Sequence, residues 1–228
     1  MEKVAGYTIF VRMIMFSEKN MKKILIILGL LGVVISAVIL SVIALTPWMD
    51  RWGAADAELT MHFPGDELLA HPASFVNRAV TINAAPDKIY PWLVQLGAEK
   101  GGYYSYSLLE TYLLFCPLQN ADRIHSEWQN LKVGDFVKMC PGSSGPPPYV
   151  VAQLYPNQAV ILGHKENGVW VDLWIFNIVP QADGTSRLIL RTRTNAVGGF
   201  WDVIHPGVFI METGMLHGIK ERAEAVKQ

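Results

Sequence analysis

Residues Ile24 to Leu45 form a run of 22 without one charged side chain. As a helix rising 1.5 Å per residue it reaches about 33 Å, enough to cross a hydrocarbon core of roughly 30 Å. In lipid a helix satisfies its own backbone groups, so the run has one sensible structure. Lys22 and Lys23 precede it, and Pro47 with Trp48 is expected to end it. Trp48 and Trp52 suit the membrane interface. A cleaved signal peptide would have a shorter apolar region and a small-residue cleavage site, and Ala44-Leu45-Thr46 is a poor one. Gly29 and Gly32 lack the spacing of a helix-dimerisation motif. The expectation is an uncleaved single-pass anchor in a bacterial-type cell membrane, with the lipid bilayer as a partner.

Of the chain's 19 basic and 20 acidic residues, five and two lie before Ile24, which leaves 14 and 18 in residues 50–228. The basic flank predicts a cytoplasmic N-terminus and a domain outside the cytoplasm. An acidic domain without a Lys/Arg cluster is a poor nucleic-acid binder, so that class is set aside. Residues 4–16 are apolar but interrupted by Arg12, and suit the membrane surface. Met21-Lys22-Lys23 also reads as a start of translation. The organisation expected is a leader at 1–23, a transmembrane helix at 24–45, an irregular arm at 46–74 and a domain at 75–228.

Within the domain, Phe75 to Ile82 reads as a strand. Ala85-Pro86-Asp87 opens a helix to about Leu96, with Pro in its first turn. A second helix spans Tyr106 to Phe115, and Asn120 to Asn130 is a loop with one helical turn. Strands follow at Phe136–Met139, Tyr149–Tyr155, Ala159–His164, Val169–Val179 and Arg187–Thr194, separated by Pro- and Gly-rich turns. A last helix starts with Pro206 in its first turn and runs to about Val226. Val208, Met211, Met215, Ile219, Ala223 and Val226 form its apolar stripe. Val169–Val179 is apolar on both faces and should be covered on both, by a cavity on one side and the arm on the other. Helices and strands segregated in this way mean α+β.

That order resembles the helix-grip fold of the START-like, polyketide-cyclase superfamily (SRPBCC). Particular stretches resemble its membrane-anchored bacterial members: Trp52-Gly53-Ala54, Pro64-Gly65-Asp66, Arg78 to Ile82 followed by Ala85-Pro86, Pro91 to Gly97, Gly101 to Tyr106, Asn120 to Ile124, Gly134-Asp135 and Gly218 to Glu224. The resemblance covers about residues 50–225. It implies a curved antiparallel sheet around a long C-terminal helix, with a cavity between them. It supplies no reaction, because the superfamily holds lipid carriers, hormone receptors and cyclases alike.

Glu212 lies about 40° from Val208 around the last helix, inside the apolar stripe. A carboxylate there needs a cation, a hydrogen bond or a raised pKa. It reads as a polar anchor or general acid/base in the cavity, as half of a structural pair with Arg191 or Arg193, or as a side chain reaching water at the stripe's edge. Arg187, Arg191 and Arg193 alternate with Leu188, Leu190 and Thr192. They present either a solvated outer face or an inner face pairing with Glu212 or an anionic ligand. Trp174, Tyr104, Trp128, Met211 and Met215 are candidate cavity walls as well as ordinary core residues.

The six histidines form no metal motif, Cys116 and Cys140 form no C-x-x-C, and no nucleophile motif occurs, so neither cofactor nor metal is expected. The two cysteines are either buried thiols or a disulfide in an oxidising compartment. The functional expectation is a binder of an apolar or lipid-like small molecule, with ligand contacts from Tyr104, Trp128, Trp174, Arg191, Arg193, Met211, Glu212 and Met215. The alternatives are a cyclase-like enzyme using a Glu/Arg pair and a membrane-associated interaction module.

Overall fold

A computed structural model of the chain describes residues 18–112, 115–142 and 145–225. The expected surface segment at 4–16 lies outside the described residues. The chain divides into two units, residues 1–46 and 47–228. The described part of the first unit belongs to helix α1, Glu18–Asp50. Its Asn20–Asp50 portion is long and apolar enough to cross a membrane. The helix does not stop at Pro47 as expected but carries it inside. Next to the turn that loses the Pro47 donor, the Thr46 hydroxyl donates to the Val42 carbonyl at 2.8 Å.

The second unit is built on a six-stranded antiparallel sheet with spatial order β1-β6-β5-β4-β3-β2. The strands are β1 Ser74–Ile82, β2 Phe136–Val137, β3 Tyr149–Tyr155, β4 Ala159–Glu166, β5 Val169–Pro180 and β6 Ser186–Thr194. Helix α3, Pro86–Val94, and the long helix α5, Phe200–Ala225, cover the concave face. The fold is an α+β helix grip. The core follows strand parity: Val80, Ile82, Trp174, Phe176, Leu188 and Leu190 all point toward Met215, Leu216 and Ile219 of α5. A Cβ at Gly218 would collide with the Tyr104 carbonyl, so glycine lets α5 lie directly on that backbone.

The arm is not irregular. It contains helix α2, Asp56–Thr60, and a 3₁₀ turn at Asp66–Leu69. Glu58 accepts the Ala55 N–H at 2.7 Å, and Asp66 accepts the Phe63 N–H at 2.9 Å. Both carboxylates thus cap short helices that would not hold alone. The arm packs on the outer face of the sheet, Phe63 on Ala79 and Ile189, Leu69 on the cluster of Ile161, Leu173 and Ile175. That accounts for the two apolar faces of β5.

Three other boundaries differ from expectation. Among the described residues helix α4 covers Ser107–Tyr112. Phe115 has φ +54° and the Cys116 N–H closes back on the Glu110 carbonyl at 2.8 Å, which ends the helical path. The strand expected at Phe136–Met139 stops at Val137, because the Lys138 carbonyl accepts from Ala98 N–H instead of β3. Helix α5 begins six residues before Pro206 and holds that proline inside. The carbonyl deprived of its donor belongs to Asp202, on an exposed turn where water can replace the bond.

Candidate functional site

The most polar point of the grip interior is Glu212. The α5 stripe aims it at the concave face, where an unpaired carboxylate would be costly. Its Oε2 accepts from Arg78 Nη1, and its Oε1 accepts from Trp174 Nε1 at 2.8 Å. Arg78 shares strand parity with the inward Val80 and Ile82, so β1 points it into the core, where it is 1% exposed. Its Nε donates to the Met49 carbonyl at 2.9 Å, and its guanidinium lies 5.3 Å from the Phe209 ring centroid. Its Nη2 stands 3.9 Å from Asp50 Oδ1 and has no hydrogen bond. Neither Arg191 nor Arg193 pairs with Glu212. The partner is a third arginine, on a different strand.

Arg187, Arg191 and Arg193 occupy the outer face, but they are not solvated. The arm covers them. Arg187 pairs with Glu58, while Arg191 and Arg193 share Asp66. Burial pushes the Glu58 carboxyl upward, and Arg187 with the Ala55 N–H more than offsets that, leaving it below its ordinary value. Of the two faces open to these arginines the structure shows the outer one, covered by the arm and not by solvent, and neither Arg191 nor Arg193 joins the ligand contacts expected under the last helix: strand alternation gives the parity, and the arm decides what lies over it.

Around Glu212 the aromatic side chains form a chain. Trp174 stacks on Tyr149 with ring centroids 5.4 Å apart and meets Tyr103 at 5.9 Å and Phe176 at 5.2 Å. Tyr149 Oη donates to Asp172 Oδ2 at 2.9 Å, and His164 Nδ1 lies 3.2 Å from the same oxygen. The register explains the meeting: His164 pairs with Asp172 across β4 and β5, on the same parity as Trp174. Asp172 raises the His164 pKa, with help from the Pro147 carbonyl 3.0 Å from Nε2 and against partial burial. Burial first, and then Asp172, push the Tyr149 hydroxyl well up, so it stays a donor.

The other expected site residues are spread more widely. Met215 is buried beside this cluster, and Met211 is half-buried, its carbonyl accepting from Ser105 Oγ at 3.0 Å. Tyr104 is a buried strut: its hydroxyl donates to the Trp92 carbonyl at 3.1 Å and Arg222 lies over its ring. Trp128 sits half-buried at the end of a 3₁₀ turn, Ser126–Trp128, stacked on His125 at 4.0 Å, and no described contact joins it to Glu212. Sequence reasoning missed Arg78, and the signal was present, a charge on the inward parity of an apolar strand. It also missed Glu110 and Thr192. Among the described residues no group of acidic, His or Cys side chains could hold a metal.

Glu110 on α4 is 2% exposed, and its Oε2 has no hydrogen-bond partner. Burial pushes its pKa up to about 7. The unfolded chain releases this proton near 4.5, so between these values the folded state binds more protons than the unfolded one. Stability should therefore fall as pH rises from 4.5 through 7 and level off above, by roughly 3 kcal/mol at most. Glu110→Gln should remove that slope and raise the unfolding temperature at pH 8. Superimposable pH–stability curves for the two proteins would show that Glu110 reaches water.

The two clefts described, of about 390 and 540 Å³, open elsewhere. The first is lined by His62, Asp66, Phe75, Arg191 and Arg193 where the arm meets β6, the second by Phe63, Pro64, Pro156, Asn177 and Pro180. The space under α5 is filled by the side chains named above. The chemistry available there is a held carboxylate whose two oxygens both carry donors, with two buried polar atoms without hydrogen-bond partners beside it, Arg78 Nη2 and Thr192 Oγ1. Thr192 faces Trp174 across β5 and β6.

No protein-family model and no curated protein sequence matches the chain. Solved structures do. The chain is similar to an Aha1 protein of Colwellia psychrerythraea at 17% identity, with 68% of this chain and 99% of that one covered and a TM-score of 0.39. It is similar to CalC, a self-sacrificing resistance protein of Micromonospora echinospora, at 12% identity, 67% and 97% coverage and a TM-score of 0.43. It is similar to a Thalictrum norcoclaurine synthase at 17% identity, 66% and 93% coverage and a TM-score of 0.37. At these identities the likeness concerns the fold and carries no activity across.

Proposed function

We propose that the chain is a membrane-anchored member of the START-like superfamily that binds an apolar small molecule with a polar head under α5, the head meeting the Glu212–Trp174–Arg78 cluster. The observation that carries this reading is a pair of buried polar atoms without hydrogen-bond partners at that cluster, Arg78 Nη2 and Thr192 Oγ1, the latter on the residue paired with Trp174 across β5 and β6. Buried polar groups are ordinarily paired, and each orphan costs about 1–3 kcal/mol. A ligand bearing both donors and acceptors relieves that cost while its apolar body replaces side-chain contacts. Met211 and Met215 suit such an exchange, because unbranched thioethers repack easily. The domain faces the outside of the membrane in this reading. Support comes from the basic flank before Ile24 and from the Cys116–Cys140 disulfide, with Cα atoms 5.3 Å apart, a bond that persists in oxidising compartments.

Native mass spectrometry of the full chain extracted in mild detergent tests the reading. The expected result is a bound mass that denaturation releases. Thr192→Val should leave the unfolding temperature unchanged or higher, since the hydroxyl has no protein partner, and should weaken retention roughly two- to tenfold. A wild-type spectrum showing protein alone, or equal retention by the variant, would remove the site.

A further inference from the structure

The first turns of α5 expose large apolar side chains that the fold does not use. Phe200 is 68%, Trp201 49% and Val203 78% exposed, and Val197 before them is exposed as well. These residues are close to where the anchor joins the domain. Pro47–Asp50 follow the apolar run directly, and they pack on α5: Trp48 meets Phe209 with ring centroids 5.3 Å apart, and Asp50 Oδ1 lies 2.7 Å from His205 Nε2. Farther along both segments, Trp52 meets His217 at 5.3 Å. Moving toward the N-terminus of α5 is therefore moving toward Pro47, where the second unit begins. Phe200 lies five residues before His205, about 8 Å along a helix rising 1.5 Å per residue.

We infer that these turns are a second membrane contact: Phe200, Trp201 and Val203 rest in the interfacial layer of the bilayer that α1 crosses. The inference rests on the reading of α1 as a membrane anchor. Its chemistry is that of an aromatic belt, in which Trp and Phe sit at headgroup level, and Trp48, itself 54% exposed, belongs to the same belt. Residues 196–204 contain Asp202 and no basic side chain, so the contact is hydrophobic and needs no anionic lipid. Two attachments, one spanning and one interfacial, fix the orientation of a domain on the bilayer more firmly than one. Partly buried aromatic surface supplies the energy for the second, at about 25 cal/mol per Å² removed from water.

The described residues hold no free cysteine, so single labels can be placed cleanly. The full chain in phosphatidylcholine nanodiscs, one copy per disc, is labelled with an environment-sensitive fluorophore at Val203→Cys, and separately at Phe200→Cys, Leu28→Cys and Gly184→Cys. Phosphatidylcholine carrying a doxyl quencher is then added. The expected result is blue-shifted emission and at least about twofold quenching at positions 203 and 200, strong quenching at 28 and none at 184. Quenching at 28 without quenching at 203 and 200 overturns the second contact and leaves the anchor standing. No quenching at 28 overturns both. A blue shift at 203 that doxyl lipid leaves unquenched means a protein neighbour covers the patch, and it overturns the inference too.

Discussion

Glu212→Gln is expected to destabilise the domain by about 3–5 kcal/mol, because it strands the charge of Arg78 in the core. The guanidinium is 1% exposed, and its nearest other carboxylate oxygen, Asp50 Oδ1, is 3.9 Å away, beyond hydrogen-bonding reach. At about 2–4 °C per kcal/mol for a domain of this size, the unfolding midpoint should drop by roughly 10 °C. Arg78→Met should cost a similar amount from the other side, leaving Glu212 with Trp174 alone. The double variant Arg78→Met/Glu212→Leu should recover much of the loss, since an apolar pair of similar volume needs no solvation. Thermal unfolding of the wild type, Arg78→Met, Glu212→Leu and the double variant, followed by tryptophan fluorescence, gives the coupling energy directly. A single Glu212→Gln effect below about 1 kcal/mol would show that Asp50 or water already shares the Arg78 charge. Both Glu212 oxygens carry donors, which is the geometry of a held anion, not of a free base.

That pair also marks where sequence reasoning stopped. The α5 stripe was readable, and it aimed Glu212 inward correctly. The order of the elements was readable too, since period and punctuation are local. Which arginine answered Glu212 was not. Arg78 is 134 positions away, on a strand whose place beside β6 follows from the closing of the whole sheet. Arg191 and Arg193 looked equally good because alternation tells one face of a strand from the other and says nothing of which face meets α5. The arm misled for a related reason. Its Pro and Gly pairs signal turns, and no period marks helices as short as five residues. Their stability comes from side-chain caps and from the sheet beneath. Gly65, with φ +93° and a Cβ position 2.8 Å from Ile161 Cγ1, is one place where that packing is written into the sequence. Pro47 and Trp48 are expected only to end the apolar run, whereas the Met49 and Asp50 that follow serve the core, through Arg78 and His205.

Arg191→Met is expected to be the second severe substitution, acting on the arm before the core. Arg191 is 1% exposed on the outer face. Its Nε donates to Asn77 Oδ1 at 2.9 Å, its Nη2 to the Glu58 carbonyl at 2.7 Å, and its Nη1 to the Met61 carbonyl at 3.0 Å and to Asp66. The guanidinium lies 4.5 Å from the Phe63 ring centroid and 4.8 Å from that of Phe75. Burial pulls its pKa down, and Asp66 opposes that by favouring the cation. One planar fork thus fastens α2, the 3₁₀ turn and β1 to β6. Methionine fills the slot between the rings but leaves the Met61 carbonyl and Asn77 Oδ1 without donors. It also takes one donor each from the Glu58 carbonyl, which keeps Asn77 Nδ2, and from Asp66, which keeps the Phe63 N–H and Arg193, so about 3–5 kcal/mol should be lost. Lysine should rescue little, because a point charge cannot reproduce three directions of donation. Local opening is the expected first event, since the arm holds its caps only while Asp66 is fixed. Limited proteolysis of the variant should cut between residues 56 and 72 well before the sheet is attacked, whereas the wild-type arm should resist. Equal protection of the arm in both proteins, with unfolding temperatures within about 3 °C, would mean that Arg193 alone holds Asp66 and that the network is redundant. Early cutting in the arm would instead make Arg191 the residue that joins the segment after α1 firmly to the sheet.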